Sequence, residues 1–126
     1  MLKAAVGQGK KISTQGQRYE GYMVWINALV LSAGGEVLQD VEAGRNAKPS
    51  LASPPQDKAA EIVGNLARSS AAPVDLSNAA EEQARATFQS QEGMFMLNWP
   101  YVLAAARSAA EEGTLPPQEV VDDIGW

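Results

Sequence analysis

Cysteine and histidine are both absent from the 126-residue chain. Their absence excludes disulfide bonds, thiol nucleophiles, imidazole general bases and zinc sites made from these two residues. Long apolar runs are missing as well, since no segment approaches the roughly 18 consecutive apolar residues that span a bilayer. Met1–Lys11 also lacks the apolar stretch of a signal peptide. The sequence therefore indicates no metal site, no cofactor and no membrane-spanning helix.

Positive charge is scarce beyond the N-terminal region. The net charge is −5, and after Arg18 the chain is clearly acidic. Nucleic acid is not expected as a partner, because binding to phosphates needs a basic face. With 45% apolar and 20% charged residues, the chain is predicted to form a single globular domain over residues 1–126.

Apolar spacing and capping residues predict a mainly helical α+β fold. Capping boxes are predicted at Ser53–Gln56 and Asn78–Glu81, and an i,i+4 ion pair is predicted between Glu81 and Arg85. Residues 2–6 resemble the last turn of a helix, and residues 122–126 resemble the start of a strand, so both ends look cut. Four helices are predicted, from about Glu20 to Gly34, from Ser53 to before Ser69, from Asn78 to about Gln91 and from Pro100 to about Glu112. Strands are predicted at residues 36–38 and 94–97. Residues 39–50 are predicted to form a loop, with a brief strand near 49–51.

The strand-to-helix corner at Asn98-Trp99-Pro100-Tyr101 is the most informative part of the chain. An apolar run ends there in an amide, two aromatic rings and a proline suited to the first turn of a helix. Two interpretations fit these residues. The rings plug the end of a core, which is the common use of buried aromatics, or they present flat faces to a ligand beside an orienting amide.

Acidic residues occur in three adjacent pairs, Glu81-Glu82, Glu111-Glu112 and Asp122-Asp123. All three pairs are predicted to lie on polar helix faces or in a tail, where solvated surface is the favoured interpretation. Glycosidase chemistry needs two carboxyl groups facing each other across a cleft, and nothing in this spacing indicates that. No nucleophile and base can be paired, so the residues favour binding over catalysis.

Sugar binding suits the residues that remain. Pyranose rings have apolar C–H faces that stack on aromatic side chains, and their hydroxyl groups bond to amides and carboxylates. Tyr19 and Glu20 lie at the start of the first predicted helix. Glu20 is equally interpreted as a helix-start carboxylate that the helix dipole stabilises, with no further role.

Several blocks, in order along nearly the whole chain, resemble the carbohydrate-binding extracellular solute-binding proteins of bacterial ABC transporters, of the maltose- and trehalose-binding type. Any one block is weak, and the specificity comes from their order and spacing. The matching blocks are Gln15–Gly21, the Trp25 helix with Ser32–Gly35, Ser53-Pro54 with Ala59–Ile62, Phe88–Tyr101 and Asp123–Trp126.

The resemblance implies part of one lobe of a periplasmic-binding-protein-like (type II) fold. The chain corresponds by length to roughly a third of a typical member. Segments 11–18 and 122–126 are then expected near the hinge, with 124–126 forming a strand that leads back towards it. The implied function is sugar capture for import, with ABC permease subunits as partners and an extracytoplasmic parent protein. No enzymatic activity is implied.

The resemblance also implies roles for individual residues. Tyr101 follows the proline of the corner, where the family often has an aromatic ring that stacks on the sugar. Trp99 occupies a position that is small in some members, beside the amide of Asn98. Tyr19 and Glu20 become polar candidates because their turn lies by the cleft, whereas Trp25 is expected in the core.

The resemblance implies that this chain supplies only one wall of the sugar-binding cleft, and one wall alone is expected to bind sugar weakly. We expect little or no sugar affinity for this chain alone, and we expect self-association through surfaces that the rest of a lobe would cover. Two alternatives remain open from the residues. One is a stand-alone helical protein-interaction module; the other is a fragment of a carbohydrate-active enzyme, in which hydrolysis of an aryl glycoside would be lost on Glu20→Gln.

Overall fold

Helices make up most of the folded chain, which is described by a computed structural model for residues 1–125. The mainly helical α+β prediction is confirmed. Within this range no helix combines the length and the apolar character needed to cross a membrane. The elements are α1 (Leu2–Gly7), β1 (Lys11–Ser13), α2 (Glu20–Ser32), β2 (Leu38–Gln39), a 3₁₀ helix (Val41–Asn46), β3 (Lys48–Pro49), α3 (Pro54–Ala67), a 3₁₀ turn (Leu76–Asn78), α4 (Glu81–Gln89), β4 (Gly93–Met96), α5 (Tyr101–Glu111) and α6 (Gln118–Asp122).

Strands β1 and β4 form a parallel pair that places the corner. Ile12 lies opposite Phe95 and Ser13 opposite Met96, and the pairing continues when the Leu97 N–H donates to the Ser13 carbonyl at 2.9 Å. Because the strands are parallel, both carboxyl ends lie at one edge. The segment leading to Tyr19 and the corner after β4 therefore meet at that edge.

The core forms where α1, α3 and the parallel strands meet. Ala5, Leu66 and Ala71 are buried there. Small residues at two of these positions allow the helices and strands to approach closely. The partly buried side chains packed around them are Leu2, Ile12, Trp25, Met94 and Phe95. The expectation that Trp25 belongs to the core is confirmed.

The segment between α2 and α3 is more ordered than predicted. Its two short strands pair antiparallel, with Leu38 opposite Pro49, and a 3₁₀ helix stands where a loop was predicted. The Gln56 side chain donates to the carbonyls of Glu36 and Ser50, both at 2.7 Å. Its amide oxygen accepts from the Ser53 hydroxyl. Helix α3 begins after Ser53 as predicted, but Gln56 anchors the neighbouring segment instead of closing a capping box.

The start of α4 also differs from the prediction. Ala80 is the capping residue, and its N–H donates to the side-chain oxygen of Gln83 at 3.1 Å. Asn78 ends the preceding 3₁₀ turn and does not cap α4. The predicted capping box is therefore wrong, because the extra turn moves the helix start by two residues. Helix α4 ends at Gln89, before the predicted Gln91.

The strand predicted for residues 122–126 is also wrong as far as the structure describes it. Residues 118–122 form α6, which buries Val121. The Ile124 N–H then donates to the Val121 carbonyl at 3.2 Å, so the backbone continues the turn instead of extending. Trp126 lies outside the described residues.

Candidate functional site

Asn98 fixes the corner between β4 and α5. Its side-chain oxygen accepts from the Trp99 backbone N–H at 2.9 Å, and its amide nitrogen donates to the Glu81 carbonyl at 2.9 Å. Helix α5 begins at Tyr101 with Pro100 as its capping residue, one residue later than the predicted start at Pro100. Both ends of the Asn98 side chain thus bond to backbone groups, and the amide ties the corner to the start of α4.

Glu81 holds the indole ring of Trp99. The indole N–H donates to a carboxylate oxygen of Glu81 at 3.0 Å. This bond, with a smaller contribution from the Tyr19 hydroxyl, lowers the pKa of Glu81. A carboxylate in the first turn of α4 is also favoured by the helix dipole. Glu81 is therefore ionised at neutral pH and is a strong acceptor for the indole.

Glu82 holds the phenol ring of Tyr101. The hydroxyl donates to one carboxylate oxygen at 2.6 Å, and the Arg85 Nε donates to the other at 3.0 Å. Arg85 also donates to the side-chain oxygen of Gln89, at 2.8 Å. The predicted pair of Glu81 with Arg85 is wrong. Arg85 bonds to Glu82, one residue later, while Glu81 bonds to Trp99.

Tyr19 lies against Glu81 from the other side. Its hydroxyl is buried and makes no hydrogen bond of ordinary geometry within the described part of the chain. Burial raises the pKa of Tyr19, and the nearby Glu81 and Glu20 carboxylates raise it further. The neighbouring Gly21 is required here, since a Cβ atom would lie 2.3 Å from the hydroxyl and 3.2 Å from the Glu81 carboxylate.

The structure brings most of the predicted site residues together. Tyr19, Trp99 and Tyr101 all lie around the first two residues of α4, and Asn98 bonds to the backbone of Trp99 and of Glu81. Glu20 is exposed at the start of α2, close enough to influence Tyr19. No metal-binding group of three histidine, cysteine or acidic side chains occurs among residues 1–125.

Sequence reasoning missed the two acidic residues at the centre of this site. Glu81 and Glu82 were predicted to be solvated surface, but Glu81 is half-buried and both bond to aromatic side chains. Their partners lie 18 and 19 residues further along the chain. No local pattern reveals such contacts, because they depend on how α4 packs against the end of β4.

We expect the Tyr101 phenol to ionise near pH 12. Burial is the main cause, and the bond to Glu82 adds to it, so the pKa lies above the ordinary value of about 10. A raised pKa means that this bond stabilises the fold fully below about pH 10 and is lost as pH rises through the folded pKa. Tyrosinate absorbance, compared with Tyr101→Phe, measures the transition. Glu82→Gln should lower the pKa of Tyr101, whereas Glu111→Gln should leave it unchanged; equal effects of the two variants would contradict the assignment.

An apolar cavity of about 660 Å³ lies beside the corner. It opens between β4, α5 and α6, so it adjoins the aromatic site without containing Tyr19 or Tyr101. Its lining includes Phe88, Met94, Met96, Trp99, Leu103 and Ile124.

Comparison with known proteins adds an independent finding. No family model matches the chain. The fold is similar to that of maltose-bound MalE3 from T. maritima, with a TM-score of 0.69 and 30% sequence identity. The match covers 82% of this chain and 26% of MalE3, so the chain spans about a quarter of that protein's length. The similarity supports the resemblance to part of a solute-binding protein, and the fold is that of a helix-rich part of a lobe.

Proposed function

We propose that the chain forms one wall of a sugar-binding cleft in a solute-binding protein and catalyses no reaction. The observation that carries this proposal is the corner itself, where Trp99 and Tyr101 each donate a hydrogen bond to a different carboxylate at the start of α4. Similarity to a maltose-bound protein supports a sugar as the ligand. A stand-alone protein-interaction module is not favoured, because that similarity is to a sugar-bound protein.

Each residue of the wall has a distinct part in the proposal. Tyr101 is 39% exposed, so part of its ring is free to stack on the apolar face of a pyranose. Trp99 is more buried and lines the adjoining apolar cavity. Glu20 is exposed and supplies a carboxylate for sugar hydroxyl groups, while the Tyr19 hydroxyl lies near Glu81. Asn98 fixes the backbone of the corner through its bonds to Trp99 and Glu81.

The proposed setting is a larger protein outside the cytoplasm that delivers its sugar to an ABC permease. In that setting residues 1–126 are one domain-sized part of a lobe, with segments 11–18 and 122–126 near the hinge. The opposite wall supplies the remaining polar contacts, so this wall alone has little affinity. The sugar-import role rests on the resemblance and the structural similarity together.

The proposal is tested by titrating the isotope-labelled chain with maltose or trehalose to high millimolar concentration and recording ¹H–¹⁵N spectra. The expected result is weak, saturable shifts of the Trp99 indole and of the backbone signals of Tyr19 and Tyr101. Signals from the segment between β2 and β3 should not move. No shift with either sugar would reject the proposal, and calorimetry showing micromolar binding would contradict the single-wall account.

We also propose that the chain self-associates along β4. Strand β4 pairs with β1 on one side and, among residues 1–125, with no strand on the other. This edge runs beside the apolar cavity, and exposed strand edges next to apolar surface tend to associate. Light scattering should detect concentration-dependent dimers that Leu97→Lys weakens. Leu51→Lys, at a 78% exposed position far from β4 in sequence, is the control; a monomer at every concentration would contradict the expectation.

A further inference from the structure

We propose that Glu81 and Glu82 are positioning residues, each of which fixes the orientation of one aromatic ring in the wall. The proposal rests on the proposed function for the identity of the ligand. Its structural part concerns only the chain's own side chains. Adjacent carboxylates at the start of α4 each accept one hydrogen bond from the corner, Glu81 from Trp99 and Glu82 from Tyr101.

Trp99 is held at two points. Its backbone N–H donates to Asn98, and its indole N–H donates to Glu81. Asn98 in turn donates to the backbone carbonyl of the same Glu81 residue. Hydrogen bonds therefore connect both the backbone and the ring of Trp99 to Glu81, the first residue of α4. This leaves the indole little freedom to rotate.

Tyr101 is hydrogen-bonded to the carboxylate of Glu82, which Arg85 also binds. Arg85 bonds to Glu82 at the oxygen that the Tyr101 hydroxyl does not use. Arg85 is itself oriented by Gln89, which is 5% exposed. Charge-assisted bonds of this kind are stronger than neutral ones. The chain of contacts from Gln89 to Tyr101 fixes the ring even though Tyr101 is partly exposed.

These bonds determine how the rings meet a ligand. The polar atom of each ring donates its hydrogen inside the protein, so neither ring has a free donor for a sugar hydroxyl group. Recognition by Trp99 and Tyr101 then depends on their faces, and stacking requires a fixed ring plane. Loss of either carboxylate is expected to free the ring before it affects the rest of the fold.

The charged and titratable groups around Glu81 set its response to pH. Trp99 and Tyr19 face its carboxylate from the corner and from the start of α2, and Glu82 lies beside it on α4. Trp99 and Tyr19 lower the pKa of Glu81 and outweigh the opposing effects of burial and Glu82. The indole bond should therefore persist at neutral pH and weaken only when acid protonates Glu81, below the usual carboxyl range.

The test follows the indole N–H signal of Trp99 in ¹H–¹⁵N spectra without any sugar. The chain has three tryptophans, and Trp99→Phe identifies the signal. Glu81→Ala should shift this signal and speed its exchange with water, and acid should shift it in the unmodified chain. Glu81→Gln, which keeps an acceptor oxygen, should restore the bond but remove the response to acid. Glu111→Gln is the control, since Glu111 is exposed and has no side-chain hydrogen bond within residues 1–125.

Sugar titration of the same variants separates this proposal from the proposed function. If the positioning role and the proposed function both hold, Glu81→Ala and Glu82→Ala should each lower the sugar affinity obtained from these shifts by about tenfold. Glu81→Gln should recover most of the lost affinity. An indole signal that Glu81→Ala leaves in place would overturn the positioning role. Absence of sugar shifts in every variant, together with the expected indole changes, would reject the proposed function and leave the positioning role standing.

Discussion

Replacing Trp99 and Tyr101 together by alanine is expected to abolish the shifts that maltose or trehalose induces. Truncation of a central aromatic anchor commonly costs 2 kcal/mol or more of binding free energy. This corresponds to at least about thirtyfold in affinity for each ring. Because the affinity of one wall is already low, the double variant should show no saturable change in its spectrum. The single variants should retain weak, faster-exchanging shifts.

Tyr22 on α2 provides the matched control for loss of an aromatic ring. Its ring lies 6.0 Å from that of Trp25, centroid to centroid, and lines the groove between α2 and α3. Tyr22→Ala should leave the sugar-induced shifts unchanged. If Tyr22→Ala weakens them as much as the corner variants do, stacking at Trp99 and Tyr101 is not the source of binding.

Gly16→Ala is expected to destabilise the fold by about 3 kcal/mol, as overpacking of a tight site does. Gly16 lies between β1 and α2, and a Cβ atom there would be 2.2 Å from the carbonyl oxygen of Leu76. Because the Leu76 carbonyl belongs to the backbone, no side-chain rotation can relieve this clash. The Gly16 N–H also donates to the Ala79 carbonyl at 2.9 Å, so a shift of the segment would break that bond. Urea unfolding measures the free-energy difference.

Gly7→Ala is the control for the Gly16 prediction. Gly7 lies at the end of α1 and has open space where a Cβ atom would be placed. Alanine is a better helix former than glycine, so the midpoint of unfolding should stay the same or rise. A Gly16→Ala variant as stable as Gly7→Ala would show that the contact between Gly16 and Leu76 is looser than described.

Local chemistry explains why the main helices could be predicted. Gly34 and Gly113 adopt positive φ angles just after α2 and α5, the backbone conformation in which glycine ends a helix. Pro54 and Pro100 stand at helix starts for a similarly local reason. These features act within one turn of the chain, so a single sequence reveals them.

The remaining features depend on contacts that are distant in sequence. Helix α6 is only five residues long and follows two prolines, so apolar spacing does not reveal it. The prediction for Glu81 failed because charge pairing within a helix suggests Arg85, while the folded chain offers the indole of Trp99 instead. The aromatic and amide residues of the corner stand out by their types, but their hydrogen bonds to Glu81 and Glu82 could not be predicted.

Stacking of Trp99 and Tyr101 on a sugar places their ring protons beside the C–H protons of the ligand. Nuclear Overhauser effects between their ring protons and the C–H protons of bound maltose or trehalose test it most directly. We expect the strongest magnetisation transfer between sugar and Tyr101, weaker transfer with Trp99, and none with Tyr22 or Trp25. Transfer only from Tyr22 or Trp25, or none from any ring while saturable binding is present, would contradict it.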